Sequence, residues 1–320
     1  MIRTGPAPAL GRLTGTVTSR RFDIIATGEA PDTVTSEAPI VGLHVQSRPQ
    51  SLGLVRGMIS AVAEQLAMDP ELLDDLKTSV SEACNNVVLH AYAGEPGPMD
   101  VRLFVDDDDD RIVVSVQDRG VGLSDSPASI ADDGAGGLGM SVMQALARDL
   151  QLTPRQGGGT EVVMRFDGHR DDRPLFRVPS APTADDRVPT ADDRVPTAGG
   201  TNNEVTVTVS PVALLSSVLG RVARTVAATA HFSLDRFSDV YLITDALAAH
   251  AAYAAVGDRI TARLTASERR LSLSLGPFRR GTGRLLEARS PSPLSMLADE
   301  LTVLECGSDD AVALVVLDGH

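Results

Sequence analysis

Ser81-Glu82-Ala83-Cys84-Asn85-Asn86-Val87-Val88-Leu89-His90 is the stretch whose reading decides the fold. Leu76, Val80, Ala83 and Val87 recur at three- and four-residue steps, which predicts a helix with one buried stripe. Glu82, Asn86 and His90 are each four apart, so they are expected on a second face beside that stripe. A carboxylate one turn before a carboxamide offers a proton acceptor and a hard oxygen ligand for Mg²⁺. A solvated helix edge has the same pattern, and His90 suits a helix-end hydrogen bonder. What separates these readings lies downstream.

Val113-Val114-Ser115-Val116 alternates into Gln117-Asp118-Arg119-Gly120-Val121-Gly122, an apolar strand ending in Asp-x-Gly-x-Gly. After a loop of Ser, Asp, Ala and Gly, Gly134-Ala135-Gly136-Gly137-Leu138-Gly139 opens an apolar helix expected from Met140 to Leu150. Gly157-Gly158-Gly159-Thr160 then leads into the strand Glu161 to Phe166. The glycine run also satisfies Gly-x-Gly-x-x-Gly, but Ser129-Ile130-Ala131-Asp132-Asp133 before it is not the apolar strand a dinucleotide fold requires. No Gly-x-x-x-x-Gly-Lys-Ser/Thr occurs, which excludes a P-loop.

Glu-x-x-x-Asn on a helix, Asp-x-Gly-x-Gly, a glycine-opened helix and Gly-Thr before a strand, in that order from about Pro39 to Phe166, resemble the histidine-kinase-like ATPase superfamily. Within it the chain looks most like the anti-sigma-factor serine/threonine kinases. The resemblance implies an α+β two-layer sandwich of the Bergerat type, with helices on one face of a mixed, mostly antiparallel sheet. It implies ATP and Mg²⁺ as cofactors. Asp118 would accept the adenine amino group, a charged hydrogen bond of roughly 1.5–3 kcal/mol, with Gly120 and Gly122 letting the backbone approach the ring. Gly137, Leu138 and Gly139 would offer helix N-terminal N–H groups to the phosphates, and Thr160 a hydroxyl. Asn86 would hold Mg²⁺, and Glu82 would orient or deprotonate the attacking serine of an antagonist protein. Ser124 to Gly136 departs from the family in carrying only neutral and acidic residues, which leaves charge stabilisation at the transferred phosphoryl to Arg119 or a partner.

The rest of the chain sets this domain in context. Its 320 residues accommodate two domains, and Leu, Val and Ala must fill their cores because Trp is absent. A formal charge of −14 argues against a non-specific nucleic-acid surface. Arg221, Arg224 and His250 interrupt the longest apolar runs, no signal-peptide core precedes them, and Cys84 and Cys306 stand far apart, so a cytoplasmic protein is expected. Residues 1–38 read as a flexible arm, 39–168 as the ATP-binding domain, and 169–202 as a linker in which Thr183 to Pro189 repeats as Thr190 to Pro196. The aspartates 106–110 read as a hairpin turn; the Gly and Glu spacing of a calcium loop is missing.

Residues 203–320 repeat the order of predicted elements: a strand at Val205–Val209, a helix from Pro211, another to about Tyr253, a hairpin, a helix from Leu294 to Leu301, and a strand at Ala311–Leu317. We read a duplicated domain whose second copy has lost its motifs, since Ala249 stands where Asn86 would, and Gly276-Pro277-Phe278 where Asp-x-Gly-x-Gly would. The expected function is an ATP- and Mg²⁺-dependent serine/threonine kinase that binds a sigma factor and phosphorylates an antagonist, without nucleic acid or membrane; a homodimer stays open. The alternative is a nucleotide-responsive partner-binding module without transfer.

Overall fold

The computed structural model describes residues 38–106, 111–122, 136–168, 204–230, 232–282, 286, 293–306 and 310–318. The arm, the linker and most of the glycine loop, expected from sequence, lie outside them. β1 (Val41–Gln46) alternates buried and half-buried residues. α1 (Ser51–Gln65) follows and buries Val55, Ile59 and Val62. Asp69 then caps α2 (Pro70–Asn86), its side chain accepting the N–H of Glu71 at 2.8 Å with Pro70 at the first helical position.

The regular helix stops at Asn86, short of His90. Val87–Ala91 forms a π-helical turn, and Tyr92 is extended. The wider turn breaks the four-residue step, so exposed His90 leaves the row that Glu82 and Asn86 share. β2 (Pro98–Asp106) and β3 (Arg111–Asp118) form the expected hairpin. α3 (Gly136–Leu146) begins within the glycine run rather than at Met140 and stops before Leu150, because β4 (Asp149–Pro154) starts there and pairs with β5 (Thr160–Asp167).

The second half opens with β6 (Glu204–Val209), a short 3₁₀ turn at Val212–Leu214, α4 (Leu215–Thr229) and α5 (Leu234–Ala254), capped by Ser233. β7 (Ile260–Ser267) and β8 (Arg270–Arg279) follow as a hairpin. α6 covers only Pro293–Leu297, and β9 (Glu300–Cys306) replaces the rest of the predicted helix, held against β10 (Asp310–Asp318).

The strands form one ten-stranded sheet in the order β4-β5-β3-β2-β1-β6-β7-β8-β10-β9. Every pairing among the described strands is antiparallel, so no parallel pair mixes in. Leu43, Val101, Leu103, Val114, Met164, Val207, Leu264 and Leu273 point to one face and join the helices in a single core that runs through both halves. Burial of such side chains contributes about 1.5–3 kcal/mol each. The opposite face carries polar residues and a small apolar cluster of Phe104, Val113 and Val163. Val212–Thr229 has, despite Arg221 and Arg224, the length and mean hydropathy (1.3) of a membrane span, but 56% of it is buried inside this fold.

Candidate functional site

Asp118 ends β3 with its carboxylate turned back on the chain. Its Oδ1 accepts the N–H of Gly120 at 2.7 Å, and its Oδ2 accepts that of Thr160 at 3.2 Å. The residue is 5% exposed, so these two backbone donors hold a buried acceptor in one orientation. A carboxylate offers about four lone-pair sites. Those left over can accept from a ligand.

Two glycines admit this geometry. A Cβ at Gly120 would stand 1.9 Å from the carbonyl oxygen of Ala91, and the N–H of Val121 donates to that same oxygen at 2.9 Å. Gly159 has φ +91, and a Cβ there would lie 2.1 Å from the carbonyl oxygen of Asp118. Arg155 donates to that Asp118 carbonyl at 3.2 Å. The Tyr92 hydroxyl donates to the carbonyl of Pro98 at 2.5 Å and accepts the N–H of Arg119 at 2.9 Å. Burial pushes the Tyr92 phenol above its ordinary pKa; the N–H of Arg119 opposes this and the Asp118 charge adds to it.

The second group sits one helix away. A Cβ at Gly139 would lie 2.8 Å from Glu82 Oε2 and 3.8 Å from Asn86 Oδ1. The first turn of α3 therefore rests directly on the Glu82–Asn86 row, and both side chains are half-buried. Gly136, Gly137 and Leu138 open α3, so their N–H groups have no earlier carbonyl within the helix to bond. Leu138 itself is 74% exposed.

The structure thus gathers the predicted residues into two clusters, Glu82 with Asn86 and Gly139, and Asp118 with Gly120, Gly122 and Thr160. His90 joins neither. Ala91, Tyr92 and Arg155 were not legible as site residues, because the first acts through its carbonyl and the others through hydrogen bonds to distant backbone. Among the described residues no group of three or more His, Cys, Asp or Glu could hold a metal ion. A cation here would need Asn86 together with oxygens brought by a ligand, which suits Mg²⁺ bound through phosphates. A cavity of 160 Å³ lies elsewhere, between Val45, Arg48, Leu54, Val205 and Val226.

Residues 45–166 match the family profile of the histidine kinase-like ATPase domain. An anti-sigma F factor of Caldanaerobacter subterraneus subsp. tengcongensis is 32% identical over 129 residues, 38% of this chain and 89% of that protein. The chain belongs to the histidine kinase-like ATPase family. The serine-protein kinase RsbW of Bacillus pumilus is 30% identical over 132 residues (37% of this chain, 80% of the relative), and that of Bacillus subtilis 28% over 149 (43% and 92%). A solved structure of RsbU and RsbW domains from Mycobacterium tuberculosis covers 41% of this chain and 34% of its own at 20% identity, with a TM-score of 0.31. In this histidine kinase-like ATPase, the α+β fold with helices on one face of an antiparallel sheet is as the sequence predicts.

In the second half, the chain after α5 meets the end of β8. Val256 N–H donates to the Pro277 carbonyl at 3.1 Å, and Ala255 bridges Phe278. Phe278 is fully buried and stacks edge-on against His250, their centroids 5.0 Å apart.

Proposed function

We propose that residues 39–168 bind ATP with Mg²⁺ and pass its γ-phosphoryl to a serine or threonine of an antagonist protein, in a cytoplasmic circuit where the chain also holds a sigma factor. The seating of Gly139 on Glu82 carries this reading. It sets helix N-terminal donors for phosphate beside a carboxylate that can take the proton of an attacking hydroxyl. The hydroxyl oxygen forms the new bond to phosphorus, the bond to the β-phosphate oxygen breaks, and ADP leaves. Glu82 and Ala91 are nine residues apart along α2 and the π-helical turn that follows it, on the order of 13 Å at the α-helical rise, a span that a triphosphate nucleotide covers between base and γ-phosphate. Asp118 and Thr160 would hold the base at the far end, with Gly120 and Gly122 against its ring. Gly137, Leu138 and Gly139 would take the phosphates. Asn86 would hold Mg²⁺, which supplies charge neutralisation between phosphates. The names of the relatives, anti-sigma F factor and serine-protein kinase, support the assignment of partners.

Labelled ATP incubated with candidate antagonist proteins tests this. Transfer to a serine or threonine by wild type and none by Glu82→Gln is expected; equal label in both rejects it.

A second reading, a module that binds its partner according to the nucleotide held but transfers nothing, is favoured by the acidic and neutral composition of Ser124 to Gly136. Arg155 is engaged at the Asp118 end, and Arg56 donates to the Ser81 hydroxyl at 2.7 Å. In that case partner affinity differs between ATP and ADP while no label moves.

A further inference from the structure

Counted outward from the middle of the sheet, the strands run β1, β2, β3, β5, β4 on one side and β6, β7, β8, β10, β9 on the other. Each half puts its first strand at the seam and swaps its last two. β1 and β6 meet antiparallel, with Val41 opposite Val209, Leu43 opposite Val207 and His44 opposite Thr206. That is the pairing a two-fold axis makes when one edge strand meets its own copy. The helices follow the same rule, because α1 and α4, each the first helix after its seam strand, pack on one another. Gln65 donates to the Ser217 hydroxyl at 2.6 Å and Arg221 to the Glu64 carboxylate at 3.0 Å. Gly57 faces α4, where a Cβ would stand 3.5 Å from Arg221 Cγ, in ordinary contact. Val41, Leu43, Val207, Val209, Val218 and Val222 are all buried in the shared core.

We propose that residues 203–320 are an in-chain substitute for a second copy of the first half. They occupy the edge of β1 and the outer face of α1, surfaces on which another chain would otherwise pair, since a free edge strand is a template for pairing. The chain is then a closed pseudo-dimer whose assembly does not depend on concentration and whose two halves differ in kind. One half keeps the open, glycine-lined corner. The other supplies the mating surface alone.

Light scattering on the full chain over a wide concentration range is expected to give 33.6 kDa throughout. A protease site placed between Val188 and Thr190 and then cut should leave the two pieces together at that same mass. Gly57→Trp, which drives a ring into Arg221, should let the cut pieces part. Arg221→Glu, which sets like charges against Glu64 and leaves the helix surface otherwise intact, should make them part faster than wild type even if the tryptophan variant fails to fold. A stable dimer of the uncut chain, cut wild-type pieces that separate freely, or cut Arg221→Glu pieces that part no faster than wild type each overturn the proposal. No nucleotide enters these measurements, so they stand or fall apart from the proposed kinase activity.

Discussion

The Asp118 carboxylate accepts the backbone N–H of Thr160 at 3.2 Å, although 42 residues separate them in the chain. With Gly120 on its other oxygen, the side chain both builds a turn and presents an acceptor. Asp118→Asn swaps one oxygen for a donor, which must then face a backbone N–H. A fold destabilised by about 1–3 kcal/mol is expected, together with a 10- to 100-fold loss of ADP affinity, the worth of one charged hydrogen bond. Calorimetry and urea unfolding on the same sample separate the two effects. Lower stability with unchanged affinity would reduce Asp118 to a turn cap.

Gly139→Ala should do the reverse. Alanine raises helix propensity by about 1 kcal/mol relative to glycine, so thermal stability should hold or rise. The new Cβ stands 2.8 Å from Glu82 Oε2, and the flexible carboxylate must swing aside. Phosphoryl transfer is expected to drop at least about tenfold, since a misplaced base forfeits much of its 10²–10⁴-fold contribution, while ADP affinity changes little. A variant as active as wild type removes Glu82 from the chemistry.

The glycine run before β5 offers an internal control. Gly157 and Gly159 share a left-handed backbone, φ +92 and +91, so alanine strains either one by about 1 kcal/mol or more. Only at Gly159 does the added methyl also strike backbone, 2.1 Å from the Asp118 oxygen, whereas nothing lies within 4 Å at Gly157. Gly159→Ala should therefore lower the urea midpoint clearly more than Gly157→Ala and weaken nucleotide binding as well. Equal midpoints would mean that the Asp118 turn yields easily.

Cys84 lies on α2 between Glu82 and Asn86, fully buried. Burial pushes its thiol up to about 12, with the Arg56 charge opposing. The reactive species is the thiolate, so at pH 8 Cys84 should resist iodoacetamide in the folded chain and react once denatured. Peptide mapping by mass spectrometry reads this directly. Native labelling at Cys84 would show that α2 opens.

The parts of the fold legible in the sequence were those set by local chemistry. Asp69-Pro70 supplies a capping carboxylate and a first-position proline within two residues, and the alternation of Val205 to Val209 buries one side as a strand. What failed depended on distant partners. The π-turn at Val87–Ala91 delivers the Ala91 carbonyl to Gly120 and Val121, which no local pattern announces. Glu300 and Leu301 read as the end of a helix until β10 pairs with them. In the candidate site, Glu82 and Gly139 could each be named from spacing, but their contact depends on α3 starting at Gly136. The joining of β1 to β6 is likewise a choice made between edges rather than within them.

The pair His44–Asp100 ties that seam strand, β1, to β2, Nδ1 to Oδ1 at 2.9 Å. Burial alone would raise the Asp100 pKa, but the hydrogen bond and charge of His44, helped by Arg102 and Arg119, bring it below its ordinary 3.8. A carboxylate depressed in the folded state contributes stability that is complete above its unfolded pKa and disappears as pH falls through the folded one. The chain should therefore lose stability below about pH 4, and part of that loss should vanish in Asp100→Asn, whose amide does not titrate. Urea midpoints of both proteins between pH 6 and pH 3 give the answer as a difference, which cancels the other acidic groups. Because His44 is 41% exposed, the difference should be modest and should shrink with added salt. Parallel curves for the two proteins would mean that Asp100 keeps its unfolded pKa and that the β1–β2 pairing is held by apolar contact alone.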